Sequence, residues 1–154
     1  MEKSIPSPDG PLAEQLSTKR TLASPPMGSA TTTETFGHVV TLGGGRLRHL
    51  RVQHEVLKPG ARSSRPHFHT TREECVLVLG GTVTVVAGER TFTATESEFI
   101  SFPAGPPVHV LRNDGACAVA LLVMSAALED DRVIFGAEPS PGPALDDDTP
   151  RRVE

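Results

Sequence analysis

Short apolar runs, split by turn residues at nearly even spacing and never interrupted by a long amphipathic helical stretch, decide what this chain can fold into. The runs cover residues 46–57, 75–79, 82–87, 98–102, 108–111 and 116–124, and are rich in Val, Leu, Phe and Thr. Such residues suit a pleated, half-buried surface. Pro59-Gly60, Gly80-Gly81, Ala87-Gly88 and Asn113-Asp114-Gly115 punctuate them, and the last reads as a hairpin turn. Many short strands must hide their edges, which a closed barrel or sandwich does. The pattern therefore predicts an all-β, single-domain barrel. No internal repeat is present, so one barrel is expected and not two in tandem.

A chain of 154 residues can bury one core without disulfides. Its 14 Gly, 14 Pro and 37% apolar residues suit a turn-rich β protein with loose ends. Residues 1–35, rich in Ser, Pro and Thr, are expected to form a flexible arm. Residues 36–126 should form the barrel, and 127–154 a largely irregular extension. The net charge is −4 with no basic cluster, which argues against nucleic acid as a partner. No apolar run reaches bilayer-spanning length, so a soluble, cytoplasmic protein is expected. Arg greatly outnumbers Lys, as in GC-rich bacterial coding sequences. Cys75 and Cys117 lack C-x-x-C spacing and are expected as reduced, half-buried thiols in strands. The run Cys75-Val76-Leu77-Val78-Leu79 is apolar on both faces, more than one small barrel can cover, which predicts a homodimer.

The chemistry concentrates in two segments. His67-Phe68-His69 places two imidazoles on one face of a strand, because alternate residues project together. Glu73 and Glu74 open the following run, where a turn can return a carboxylate over that face. The second segment is Pro103-Ala104-Gly105-Pro106-Pro107-Val108-His109, a rigid turn feeding a strand. An isolated H-x-H is more often structural than a ligand pair. Imidazoles with a carboxylate nearby form a set suited to Fe, Mn, Ni, Cu, Co or Zn.

Together the two segments resemble the two motifs of the cupin superfamily. The first motif is Gly, H-x-H, three or four residues, Glu, six residues and Gly. Here four residues precede Glu74 and six separate it from Gly81; Glu73 with Gly80 also fits, and Glu74 is preferred. The second motif, P-x-G, a spacer, His, three residues and Asn, is met by Pro103, Gly105, His109 and Asn113. The spacers after Gly60 and Gly105 are each one residue longer than the common form, and Ser97 stands where the second motif usually starts with Gly. The resemblance spans about residues 36–126 and implies a double-stranded β-helix, or jelly-roll barrel. It implies one divalent transition metal held by His67, His69, Glu74 and His109, with positions open for substrate, and with Glu74 able to act as a base.

The chain has no Tyr and no Trp. That weakens the family's Tyr-dependent lyases and its His–Tyr epimerases. Its thiol dioxygenases, which use three His without Glu, fit poorly too. Quercetinase-like dioxygenases and metal-dependent isomerases or cyclases stay compatible, acting on a small anionic or enolisable metabolite. The alternatives are a non-catalytic sensor cupin and an accessory zinc cupin serving a separate synthetase. By alternation, Val76 and Val78 share the face of Glu74, and Leu111 that of His109. Phe99 and Phe102 are candidates for apolar wall. One set from the preceding strand, Arg51 and Gln53 or else His54, is expected to reach the pocket, with Arg65 at its mouth. An inward Arg would favour a carboxylate-bearing substrate.

Overall fold

The computed structural model describes residues 35–43 and 46–137. The arm expected over 1–35, apart from Thr35, lies outside the described residues, as does the extension beyond 137. The described residues form ten strands and no helix: β1 His38–Thr41, β2 Leu50–Leu57, β3 His67–His69, β4 Glu74–Gly80, β5 Thr82–Ala87, β6 Arg90–Thr95, β7 Phe99–Phe102, β8 His109–Arg112, β9 Val119–Ala126 and β10 Val133–Phe135. They pair into two five-stranded sheets, ordered β1-β2-β9-β4-β7 and β10-β3-β8-β5-β6. Every pairing of strands is antiparallel. This is the jelly-roll barrel that the alternation and the motifs implied.

Period-2 alternation builds the core. In β9, Val119, Leu121, Val123 and Ser125 are buried while Ala120, Leu122, Met124 and Ala126 lie on the outer face. These inward residues meet Leu57, Val76, Val78, Ile100 and Phe102 of the same sheet and Val83, Val85, Ala94 and Leu111 of the other. Burying them removes about 1.5–3 kcal/mol of unfavourable hydration for each large side chain.

Several turn expectations resolve differently. Ala87 pairs with Arg90 across Gly88-Glu89, a tight hairpin in which Gly88 takes φ 57°, as the first position of a type II′ turn requires. Asn113-Asp114-Gly115 does not make a hairpin: β8 pairs with β3 and β5, and β9 with β2 and β4. That turn carries the chain between sheets. Asn113, fully buried, donates from Nδ2 to the carbonyls of Leu57 and Cys117, both at 2.8 Å, and accepts from the Gly115 N–H at 3.0 Å. Ser97 takes φ 70°, so the backbone keeps the left-handed shape of the motif's usual glycine, at a cost of about 1–2 kcal/mol for a side-chain-bearing residue. Cys117 is exposed in a turn and not half-buried in a strand. Beyond residue 126, β10 pairs with β3 and continues the second sheet. Among the described residues no helix is long and apolar enough to cross a membrane.

Candidate metal centre

The three His come from the second sheet and the Glu from the first. His67 pairs directly with His109, and alternation puts His69 on the same face. All three imidazoles are buried, with ring centroids 5.0 Å apart for His67–His69 and 4.9 Å for His67–His109. Glu74 reaches across from β4, its Oε2 and Oε1 3.8 Å from the Nε2 atoms of His69 and His109. Glu73 is exposed, so the parity of Glu74, Val76 and Val78 decides between the two carboxylates. Phe102 stacks on the His109 ring, 3.9 Å between centroids and 9° from parallel, fixing its plane.

The outer nitrogens of two imidazoles are tied down. His67 Nδ1 lies 2.8 Å from the Arg65 carbonyl and 3.0 Å from Ser64 Oγ. His69 Nδ1 lies 2.7 Å from Asp131 Oδ2. A proton held at Nδ1 by such acceptors leaves the lone pair at Nε2, the usual support of a metal-ligating histidine. Burial, reinforced by the neighbouring His109 and His69, holds His67 below its ordinary range despite the pull of the Arg65 carbonyl and Glu74. It is therefore neutral at pH 7. Burial alone would raise the Glu74 carboxyl, but His109 above all, with His67 and His69, holds it below the usual carboxylate range. Glu74 is thus ionised.

The donor chemistry fits a divalent transition metal. His109 Nε2 is buried without a hydrogen-bond partner, and nitrogens and oxygens that share an ion at about 2.0–2.2 Å lie within about 4.4 Å of each other. As the side chains stand, no three or more His, Cys, Asp or Glu among the described residues close into a cation cage. Arg72 Nη2 sits 2.9 Å from Nδ1 and 3.1 Å from Nε2 of His69, against the ring edge.

The remaining candidates divide. Arg51, Gln53, Glu55 and Leu57 pair with Ser125, Val123, Leu121 and Val119, the inward set of β9, so the odd residues of β2 face the interior. His54 faces the opposite way and is not a pocket residue. It lies in an outer row with Val40, Leu122, Leu77 and Phe99, and burial with the nearby His38 lowers its pKa. Phe99 is 60% exposed and is no wall either: three residues from Phe102, it cannot share its face, and Ile100 takes the inward place. Val76, Val78 and Leu111 are buried core below the site. Arg65 stands exposed over the Phe135 ring, 4.9 Å from its centroid, and serves His67 through its backbone carbonyl.

Four residues near the site escaped the sequence reading. Asp131, beside β10, accepts from His69 and from the N–H groups of Thr71 and Arg72, both at 3.2 Å. Burial opposes its ionisation, but these bonds hold the carboxyl below its ordinary range. Arg72 lies with Nε 3.3 Å from Asp131 Oδ2; burial lowers its pKa against Asp131, and the Arg51 charge adds to that. Ser125 sits buried between Arg51 and Glu74 in the sheet. Glu55 lies inside the barrel with Oε1 unpartnered; burial, with the charge of Glu74 second, pushes it up to about 8.

Residues 53–125 match the family model described as Cupin domain. No curated protein sequence matches the chain. A structure from Acidithiobacillus ferrooxidans, provisionally described as a sugar phosphate isomerase, is 29% identical at TM-score 0.61 and covers 64% of this chain. A sugar phosphate isomerase from a cupin superfamily, from Silicibacter pomeroyi, is 27% identical at TM-score 0.61 with 64% coverage. The chain spans 64% of the length of each. The polyketide cyclase RemF of Streptomyces resistomycificus, 21% identical at TM-score 0.54, covers 70% of this chain and is matched over 80% of its own; it shares the fold.

Proposed function

The chain belongs to the cupin superfamily, and on that premise we propose that it is a metal-dependent enzyme of the isomerase or cyclase kind, acting on a small, enolisable, oxyanion-bearing metabolite. The observation that carries the reading is the tethering of Nδ1 on His67 and His69. It turns both Nε2 lone pairs into ligand positions beside the orphaned Nε2 of His109 and the ionised Glu74. A divalent transition metal held by these four residues would polarise a substrate carbonyl. The likeness to two structures described as sugar phosphate isomerases supports the isomerase direction.

The residues supply the rest. Phe102 and the apolar rows of Val76 and Ile100 keep water from one side of the site. Glu74 takes the proton from the hydroxyl-bearing carbon beside the carbonyl and returns it to the carbonyl carbon, while the hydroxyl proton passes to the carbonyl oxygen, so the substrate isomerises with no oxidant and no co-reactant. A second reading, a non-catalytic binding cupin, draws on the Arg72 contact with His69, which would leave a metal-free anion pocket. A homodimer is also proposed, a second copy covering the outer row of Val40, His54, Leu122, Leu77 and Phe99. A monomer by light scattering would overturn it.

The test is solvent exchange in D2O, without oxygen, on metal-loaded protein given aldose and ketose phosphates. Loss of the proton beside the carbonyl by NMR is expected in wild type. In Glu74→Gln it should fall at least about 100-fold, as removal of a general base does, while metal content stays near wild type. An undiminished rate in that variant contradicts the role of Glu74. Turnover that appears only when the same assay is run in air would replace the isomerase with a dioxygenase.

A further inference from the structure

We propose that Arg51 and Ser125 form an oxyanion subsite beside the metal centre, which takes the phosphate or carboxylate at the far end of the substrate. Arg51 pairs with Ser125 across β2 and β9, and Ser125 pairs with Glu74 across β9 and β4. The three residues therefore form one inward row over three neighbouring strands. Strand spacing puts the Arg51 backbone about 10 Å from that of Glu74, with the Ser125 hydroxyl between them. The row ends on Phe102, which pairs with Glu74 and stacks on His109. One line thus runs from the histidines to a guanidinium.

Burial is lost at the Arg51 end of this line. Ser125 is 6% exposed, Glu74 is half-buried and Arg51 is open to solvent, as at the mouth of a pocket with a polar wall. Charge is graded along it. Asp131 compensates Arg72, and the positive charge of Arg51 reaches Arg72, whereas among the described residues no carboxylate pairs with Arg51. Glu74 and Asp131 balance the two guanidiniums overall, but only Asp131 ion-pairs with one of them, which leaves Arg51 to an anionic substrate. A guanidinium pairs with phosphate or carboxylate through two parallel N–H donors, and a serine hydroxyl adds a third donor. Gln53, one row deeper, reaches Thr41 Oγ1 at 3.5 Å and leaves the anchor to Arg51.

This subsite rests on the metal-dependent reading, because its anion is the other end of the same substrate. Binding is therefore measured on metal-stripped full-length protein, where an anion cannot report on the metal. Inorganic phosphate and succinate are titrated calorimetrically into wild type, Arg51→Gln, Ser125→Ala and Arg48→Gln. Metal content after reloading is measured for each. Saturable binding in wild type is expected. It should weaken at least about tenfold in Arg51→Gln and less in Ser125→Ala, and stay unchanged in Arg48→Gln, with metal content equal throughout. Tighter phosphate than succinate marks a phosphate ester, and the reverse a carboxylate. No binding in wild type, or equal binding in Arg51→Gln, overturns the subsite. Failure of every protein to take up metal would overturn the enzyme reading instead and leave the titration to decide the subsite.

Discussion

Replacing Glu55 with Gln exchanges a carboxyl for an amide of nearly the same shape inside the barrel, beside Gly37 and Leu57. Burial first, and the charge of Glu74 second, raise the Glu55 pKa from 4.5 to about 8. The folded chain therefore holds a proton at pH 7 that the unfolded chain releases above about pH 4.5. Stability contributed at low pH is lost as pH rises from about 4.5 to about 8, and the loss then levels off. At about 1.4 kcal/mol for each tenfold change in proton affinity, the full displacement amounts to about 5 kcal/mol. Gln cannot ionise and escapes this loss. Urea unfolding of both proteins at pH 5, 7 and 9 should show the variant gaining on wild type at each step, most of the gain falling below pH 8. A difference that stays constant across the series refutes the reasoning, because Glu55 would then ionise alike in both states.

Asp131→Ala removes the acceptor that orients His69, and should weaken metal affinity about 10- to 100-fold in competition with a chelator, while exposed Asp130→Ala leaves it unchanged. Equal affinity in Asp131→Ala would mean that His69 is oriented without the carboxylate. Asn113→Ala breaks three hydrogen bonds, one buried and two part-buried, at the turn between the sheets and should cost about 2–4 kcal/mol by chemical unfolding. A cost below about 1 kcal/mol would show that the carbonyls of Leu57 and Cys117 find other donors.

Sequence alternation carried the barrel, because it is a local property of strands, whereas the grouping of His67, His69, Glu74 and His109 over three strands of two sheets was implied by the resemblance to the cupin motifs. Alternation could also have settled one point, since residues 99 and 102 cannot share a face. It could not exclude Glu73, because Cys75, Leu77 and Leu79 make the other face of that run apolar too, and only the burial of Val76 and Val78 shows which parity faces in. The choice within β2 was harder. His54 and Glu55 are both polar and both buried, and only the pairing of β2 with β9 shows that Glu55 faces in while His54 lies in an apolar outer row. Asp131 was out of reach for another reason: it meets His69 from 62 residues away because β10 docks on β3, and a three-residue strand leaves almost no periodic signal. The turn at Asn113 misled because its residues favour tight turns of several kinds. The side chain of Asn113 is spent on joining two sheets, which no local pattern records.

The proposed function requires one divalent metal held by His67, His69, Glu74 and His109. Its most direct test is metal content by mass spectrometry on untagged wild type beside His69→Ala, each exposed to equal supplies of Fe, Mn, Ni, Cu, Co and Zn. One divalent ion per chain in wild type, lost in the variant, is the predicted result. Metal in neither protein, or equal metal in both, would contradict the account and leave the barrel a binding module.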